Sequence, residues 1–418
     1  MTIIVKRELF DDIYQHLIKP EITIITGARQ VGKTTLLDQL KLSLQKDGIA
    51  SENIYSFNLD IITDQESFKS QADFIKFLKS RIGGKRLYVF VDEAQRIENA
   101  GIFFKGIYDL KLPLKFVLTG SSSLELRSKI HEPLTGRKRL FHMKSFSFLE
   151  FLRAKEKRVI DLTARDISKI DQRKIMDHFL EYLVYGGYPK VVLETNFDER
   201  VKILEELYSS YIEKDIVGFI NIKNPSVFLK LLKLLSGQIG HLINVSELSN
   251  TLGIEVRTVN NYLNYLEETF VISLVRPFYK NPRKEITKMP KCFFMDLGLR
   301  NFALSKMGIY SAREDRGDLL ENYVFLDLKN RFPQVNFWRT KSKGEVDFVV
   351  ADQKGEFIPF EVKATNLKSM EIPRSFRSFI RQYNPSQAYL INLALEAEKK
   401  LDETKIKFVL PFWGLFNP

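Results

Sequence analysis

Cysteine is nearly absent from this sequence: Cys292 is the only one in 418 residues. A single thiol excludes an intrachain disulfide and any cysteine-based metal site. Long apolar runs are missing too. None approaches the roughly 20 residues that cross a bilayer as a helix, so no membrane partner is expected. The opening segment, MTIIVKRELFDDIY, is charged within its first turns and lacks the pattern of a signal peptide. These absences together point to the cytoplasm. Internal repeats and low-complexity tracts are also lacking. Acidic residues are in the minority, 52 against 64 basic ones, for a formal net charge of +12. Such a surplus speaks of partners rather than fold. It points to a polyanion, nucleic acid being the usual class and double-stranded DNA the expected partner, or else to a scatter of solvated lysines.

What is present is ample material for buried cores: 44% of residues are apolar and 28% charged. At roughly 100–200 residues per domain, two to four domains are expected. Residues 1–19 read as a helix ending before Pro20. Residues 22–26, ITIIT, are a buried-type strand, followed by a glycine-rich turn and a helix over 33–46. LYVFV (87–91) and KFVLT (115–119) are two further apolar strands. Short apolar strands alternating with helices argue for a parallel sheet covered on both faces. From about residue 170 the period becomes helical, broken at Gly186-Gly187 and Pro189 and resumed over 197–214. Residues 226–300 read as three short helices and a basic β-hairpin, and 318–418 as mixed α/β.

The strongest motif follows the first strand. Gly27-Ala28-Arg29-Gln30-Val31-Gly32-Lys33-Thr34, with Thr35 next, fits G-x-x-x-x-G-K-S/T between a strand and a helix. The glycines let backbone N–H groups turn toward phosphate, Lys33 reaches the β- and γ-phosphates, and the Thr34 hydroxyl can hold Mg²⁺. ATP and Mg²⁺ are therefore the expected cofactors. The strand LYVFV delivers Asp92 and Glu93 to the carboxyl edge of the sheet, where nucleotides bind. Asp92 suits the metal shell, and Glu93 suits orienting the attacking water. The strand KFVLT ends in Thr119 and Ser121, polar groups that would lie between the P-loop and the acidic pair. The alternative there is an ordinary turn with Ser122 or Ser123 as a helix cap. Arg137, in LTGRKR, could meet charge developing on the γ-phosphate, in a neighbouring subunit, or be an ordinary surface cation.

Residues 245–269 read as helix, turn, helix, with Ser246 as N-cap and Gly253 in the turn. Val259, Tyr262, Leu263 and Leu266 form the core stripe of the second helix. Arg257, Thr258, Asn260, Asn261 and Asn264 take the other side, where they could meet phosphates or base edges. A strand over 270–275 and a basic tip over 276–291 complete a winged-helix pattern, which serves either DNA binding or protein docking. The tip carries Arg276, Lys280, Arg283, Lys284, Lys288 and Lys291 against one acid, Glu285. Glu267 and Glu268 at the end of the second helix speak against DNA.

Further on, GEVDFVV (344–350) and EFIPFEVKA (356–364) read as antiparallel neighbours. Alternation puts Glu361 and Lys363 on one face, with Asp347 across the pair. Asp347 and Glu361 make an oxygen-only site suited to Mg²⁺, and Lys363 could polarise a water. Glu321, from the preceding helix, would add a fourth polar group. No basic partner other than Lys363 is evident in the motif. The alternative is a buried structural ion pair, with the domain an adaptor that does not cut.

In order along the chain stand GARQVGKTT (27–35), YVFVDEAQ (88–95), LTGSSS (118–123), LTGR (134–137), YGGYP (185–189) and YIEKDI (211–216). LGIEVRTVNNYLNYLEETFVI (252–272), KCFFMDLGLRN (291–301), GEVDFVV and FEVKA follow. Through these the chain resembles the large prokaryotic group of AAA-type ATPases whose C-terminal domain is similar to PD-(D/E)xK nucleases. The resemblance covers nearly all of the chain. It implies an α/β fold: a three-layer P-loop AAA+ module (1–165), a helical lid (166–222), a winged helix (223–300) and a restriction-endonuclease-like α/β domain (301–418). It carries ATPase roles onto Lys33, Thr34, Asp92, Glu93 and Arg137, and γ-phosphate sensing onto Thr119 and Ser121. It carries nuclease-like positions onto Glu321, Asp347, Glu361 and Lys363. The family's proline before the first nuclease aspartate is absent, since Val346 precedes Asp347. Assembly into a homo-oligomer through the ATPase module is implied as well. Two functions remain open: an ATP-driven enzyme acting on DNA with a metal-dependent nuclease, or a nucleotide switch with a non-cutting C-terminal adaptor.

Overall fold

The structure, a computed structural model, describes residues 4–120, 133–156, 168–216, 222, 224–278 and 288–412, with side chains not described over 213–216. The chain forms two compact units. One comprises Met1–Phe146 with Tyr188–Leu193 and Glu268–Phe270, and the other the remainder.

The first unit is built on five parallel strands: β1 (Ile22–Thr26), β2 (Ile54–Asn58), β3 (Leu87–Asp92), β4 (Leu114–Gly120) and β5 (Lys138–His142). Their order is β2-β3-β4-β1-β5. Every residue of β1, β3 and β4 is buried, as expected for central strands covered on both faces. β2 and β5 are the edges and are only partly covered. One face of the sheet packs against a cluster of rings. Phe68 lies 4.5 Å from Phe74, and Phe104 meets Phe116 edge-on at 5.3 Å. These rings come from β4, from the loop before helix α3 (Gln71–Arg81), and from α3 and α4 (Ala100–Asp109).

The helix expected over 1–19 is confined to α1, Phe10–His16. The chain before it is held elsewhere. Arg7 donates to Val31 O at 2.7 Å and to Lys144 O at 2.6 Å, which draws residues 4–7 out of helical register. Helix α2 (Lys33–Lys46) follows the P-loop and buries Leu36, Leu37, Leu40 and Leu44 against the sheet.

The second unit begins with helices. Its first, Phe148–Lys155, carries a full capping box between Ser147 and Glu150. A longer one, Lys169–Tyr185, ends at Gly186, where φ is 71° and a Cβ would lie 2.3 Å from Asp296 Oδ1. Three helices, Pro225–Ser236, Val245–Leu252 and Val256–Glu268, precede a two-stranded antiparallel sheet of β6 (Ile272–Val275) and β7 (Lys291–Phe294). Gly253 makes the turn at φ 66°. The cap of the second helix is Asn244, whose Oδ1 accepts from Ser246 N and Glu247 N. Ser246, expected in that role, lies inside the helix. Val259, Tyr262, Leu263 and Leu266 are buried, and Arg257, Asn260, Asn261 and Asn264 are exposed.

The rest of the unit is a six-stranded mixed sheet: β8 (Val335–Arg339), β9 (Glu345–Ala351), β10 (Phe357–Val362), β11 (Gln387–Ile391), β12 (Ala397–Leu401) and β13 (Thr404–Val409). Its order is β12-β13-β11-β10-β9-β8. A helix over Arg316–Arg331 sets Phe325 near Phe348, and another over Arg374–Tyr383 packs Phe379 edge-on to Trp338 at 5.4 Å.

Candidate functional site

The parallel order decides which side chains meet at the carboxyl edge of the first sheet. β4 pairs with β1 on one side and with β3 on the other. The residues ending β4 therefore lie between the P-loop and the acidic pair. Gly27 leaves β1 so close to the neighbouring chain that a Cβ there would come within 2.1 Å of Met143 O. Gln30 and Gly32 take positive φ, 59° and 97°. The loop thus coils into a cradle ahead of α2, with its N–H groups and the helix dipole at the mouth. Ala28 and Val31 are buried, while Arg29, Thr34 and Thr35 are exposed.

Lys33 is 5% exposed and donates to Gly27 O at 2.9 Å and Ala28 O at 2.8 Å. Burial lowers its ammonium to about 8, with Glu93 and Asp92 pushing the other way. Asp92 gathers both threonines. Thr34 Oγ1 donates to its Oδ2 at 2.6 Å, and Thr119 Oγ1 donates to its Oδ1. Glu93 N in turn donates to Thr119 Oγ1 at 3.1 Å. Glu93 itself stands in the left-handed region, φ 55° and ψ 45°. That conformation is costly for a non-glycine residue and is found where the surroundings over-determine it. Its Oε2 accepts from Gln95 Nε2. A hydroxyl and a carboxylate that already converge fit Mg²⁺, which takes a few oxygen ligands alongside phosphate and water.

Two expected residues stand apart. Ser121 lies outside the described residues. Arg137 pairs with Asp109, Nε to Oδ1 at 2.8 Å. It precedes Lys138, which pairs with Ile22 at the amino end of β1. Within one chain it is therefore at the sheet edge opposite the P-loop. Two residues of the site escaped the sequence. Gln95, within YVFVDEAQ (88–95), orients Glu93. Arg7 braces the P-loop through Val31 and lies over the Phe146 ring at 4.9 Å; a lone arginine ahead of a short helix carries no signal.

The second cluster lies on the six-stranded sheet. Phe348 pairs with Phe360, which sets Asp347 beside Glu361. Val362 N donates to Asp347 Oδ2 at 2.7 Å, and Lys363 Nζ lies 2.6 Å from Glu361 Oε1. The four expected residues do gather, but with a second lysine. Lys291 was expected on an exposed basic tip. It instead begins β7, is 2% exposed, and places Nζ 2.9 Å from Glu321 Oε1 and 2.6 Å from Glu345 Oε1. Glu345 also takes Arg339 at 2.9 Å. Burial opposes the Lys291 charge, but Glu321, Glu345 and Asp347 outweigh it and hold the ammonium above the ordinary lysine value. Burial, more than the neighbouring Asp347, raises Glu361 to about 8, and burial raises Asp347 as well. Among the described residues no three His, Cys, Asp or Glu side chains converge as a metal cage. An ammonium seated among the carboxylates does not fit Mg²⁺ at this site.

Of the basic tip, Lys280, Arg283 and Lys284 lie outside the described residues. Pro277 bridges to Phe337 on β8, and Phe278 packs on Phe357 at 4.6 Å. Glu267 Oε1 accepts from Leu274 N, within β6, at 2.7 Å.

Residues 19–152 match the family described as "AAA domain". Residues 176–308 and 316–414 each match a domain of unknown function. With the P-loop, Asp92 and Thr119 at one sheet edge, the first unit is an AAA-type P-loop ATPase module. An uncharacterized protein of Haemophilus influenzae is 30% identical over 339 residues, which covers 78% of this chain and 79% of that protein. The chain belongs to the same family. An uncharacterized protein of Methanocaldococcus jannaschii is 27% identical over 419 residues, 96% of this chain and 89% of its own. Among solved structures, the ADP form of the Aeropyrum pernix ORC2 protein aligns at 15% identity with a TM-score of 0.36, over 71% of this chain and 92% of its own. Among the described residues no helix is long and apolar enough to cross a membrane.

Proposed function

We propose that the protein is an ATP-hydrolysing switch whose chemistry is done by Lys33, Thr34, Asp92, Glu93 and Thr119. The observation that carries this reading is the double engagement of Asp92 by Thr34 and Thr119. It joins three strand ends into one polar site beside the phosphate cradle. Lys33 leaves the loop carbonyls to meet the β- and γ-phosphates. Thr34 and Asp92 would hold Mg²⁺, which when bound there neutralises phosphate charge. Glu93, aimed by Gln95, takes the proton side of the attacking water. Thr119 reports the γ-phosphate to Asp92 and to the Glu93 backbone, so loss of that phosphate alters both acidic residues. Ser121, next after Gly120 in the sequence, shares the sensing role in this reading. Arg137 completes a site only in a neighbouring subunit, since its own P-loop lies across the sheet.

Phosphate release at saturating ATP and Mg²⁺ tests this. Wild-type protein should turn over, and Asp92→Asn should lose turnover with it. Equal turnover of the two would remove the proposed centre.

Duplex DNA as the object of the switch is favoured by one face. Arg257, Asn260, Asn261 and Asn264 project from the helix Val256–Glu268, the position of a recognition helix in a winged-helix reading. Filter binding of duplex DNA across salt concentrations checks it. Arg257→Ala should weaken binding and lower the log–log salt slope by about 0.9 if it neutralises one phosphate. An unchanged slope assigns this face to a protein.

A further inference from the structure

The carboxylate cluster on the C-terminal sheet has cations of its own. Glu321, Glu345, Asp347 and Glu361 meet Lys291, Lys363 and Arg339 within one small volume. Lys291 is central to the balance. It comes from β7, far from the strands that carry the acids, and its ammonium bridges Glu321 and Glu345 at 2.9 and 2.6 Å. Four acids against three bases leave one negative charge. The leftover charge has an address: Glu361 Oε2 is buried and has no hydrogen-bond partner among the described residues.

We propose that the Lys291 ammonium takes the place of a divalent cation in this nuclease-like site, so that the domain is a metal-excluding ion-pair core. A dication entering beside Asp347 and Glu361 would overshoot the one missing charge. It would also face a fixed ammonium across a low-dielectric interior, where like charges repel strongly. One oxygen of each carboxylate is engaged as well. Lys363 covers Glu361 Oε1, and the Val362 N–H covers Asp347 Oδ2. Removing the Lys291 charge reverses the balance: it leaves a buried surplus of carboxylate that a divalent oxygen-seeking ion can fill. Lys291 also ties the hairpin to the sheet, so the core serves as a joint between the two halves of the second unit.

The test is a Mn²⁺ titration of the nucleotide-free full chain, with free Mn²⁺ read by electron paramagnetic resonance. Any Mn²⁺ at the P-loop is common to every variant and cancels. Wild type and Asp347→Asn should give superimposable curves. Lys291→Gln should gain one Mn²⁺ equivalent, and adding Asp347→Asn to it should abolish that gain. A wild-type equivalent that disappears in Asp347→Asn overturns the proposal, as does a folded Lys291→Gln that gains nothing. Should Lys291→Gln fail to fold, the comparison of wild type with Asp347→Asn decides alone.

Discussion

Single side chains here are read most clearly where their charge is constrained. Glu361 is pushed up to about 8 from an ordinary 4.5, first by burial and then by Asp347. The folded chain thus keeps a proton that the unfolded chain has released. Its stabilising share is complete below the ordinary value and is lost as pH rises toward 8. The loss is at most about 1.4 kcal/mol per pH unit. Glu361→Gln, fixed in the neutral form, should gain melting temperature over wild type steadily between pH 5 and 8.5. A difference that stays constant with pH contradicts the assignment. Lys33, Asp92 and Glu93 were legible from sequence because motif spacing fixes them to strand ends. Lys291 was not. Nothing in KMPKCFF marks its lysine as interior, because the acids that neutralise it come from a helix and strands later in the chain. Charge counted along a segment therefore misplaced it, and the same count left Lys363 as the only base at the site.

At the scale of elements, apolar runs revealed β1, β3 and β4, which are buried throughout. β2 and β5 escaped notice because edge strands need no continuous apolar run: IYSFN and KRLFH are half covered and carry polar residues. Helix ends were less legible. α1 is shorter than its sequence suggests, and Asn244 rather than Ser246 caps the helix that follows it. The P-loop depends on an element outside its own motif. Arg7 ties Val31 to the chain after β5, through Lys144. Arg7→Ala should leave the fold intact but loosen the cradle, raising the KM for ATP more than it lowers kcat. Steady-state kinetics check this; an unchanged KM makes Arg7 a packing residue only. Gly27→Ala is expected to be worse, since its Cβ would strike the Met143 carbonyl, and loss of nucleotide binding should accompany it.

For the whole molecule, the chain joins an AAA-type ATPase module to a helical and mixed-sheet unit. Arg137 bears on assembly. Its partner Asp109 is a half-exposed surface acid, so the pair can exchange for another at little cost to the fold. If Arg137 serves a neighbour, Arg137→Ala should bind ATP yet turn over slowly, and mixing it with Lys33→Ala should restore part of the rate. No recovery in a verified mixed oligomer counts against that role. The central claim is ATP hydrolysis at the cradle, with Glu93 directing the water. It is tested most directly by following bound radiolabelled ATP on Glu93→Gln in the presence of Mg²⁺. The account predicts that the variant binds ATP as wild type does and hydrolyses it about 100-fold more slowly or worse, the usual loss when a positioned base is removed. Hydrolysis by Glu93→Gln at the wild-type rate would contradict it.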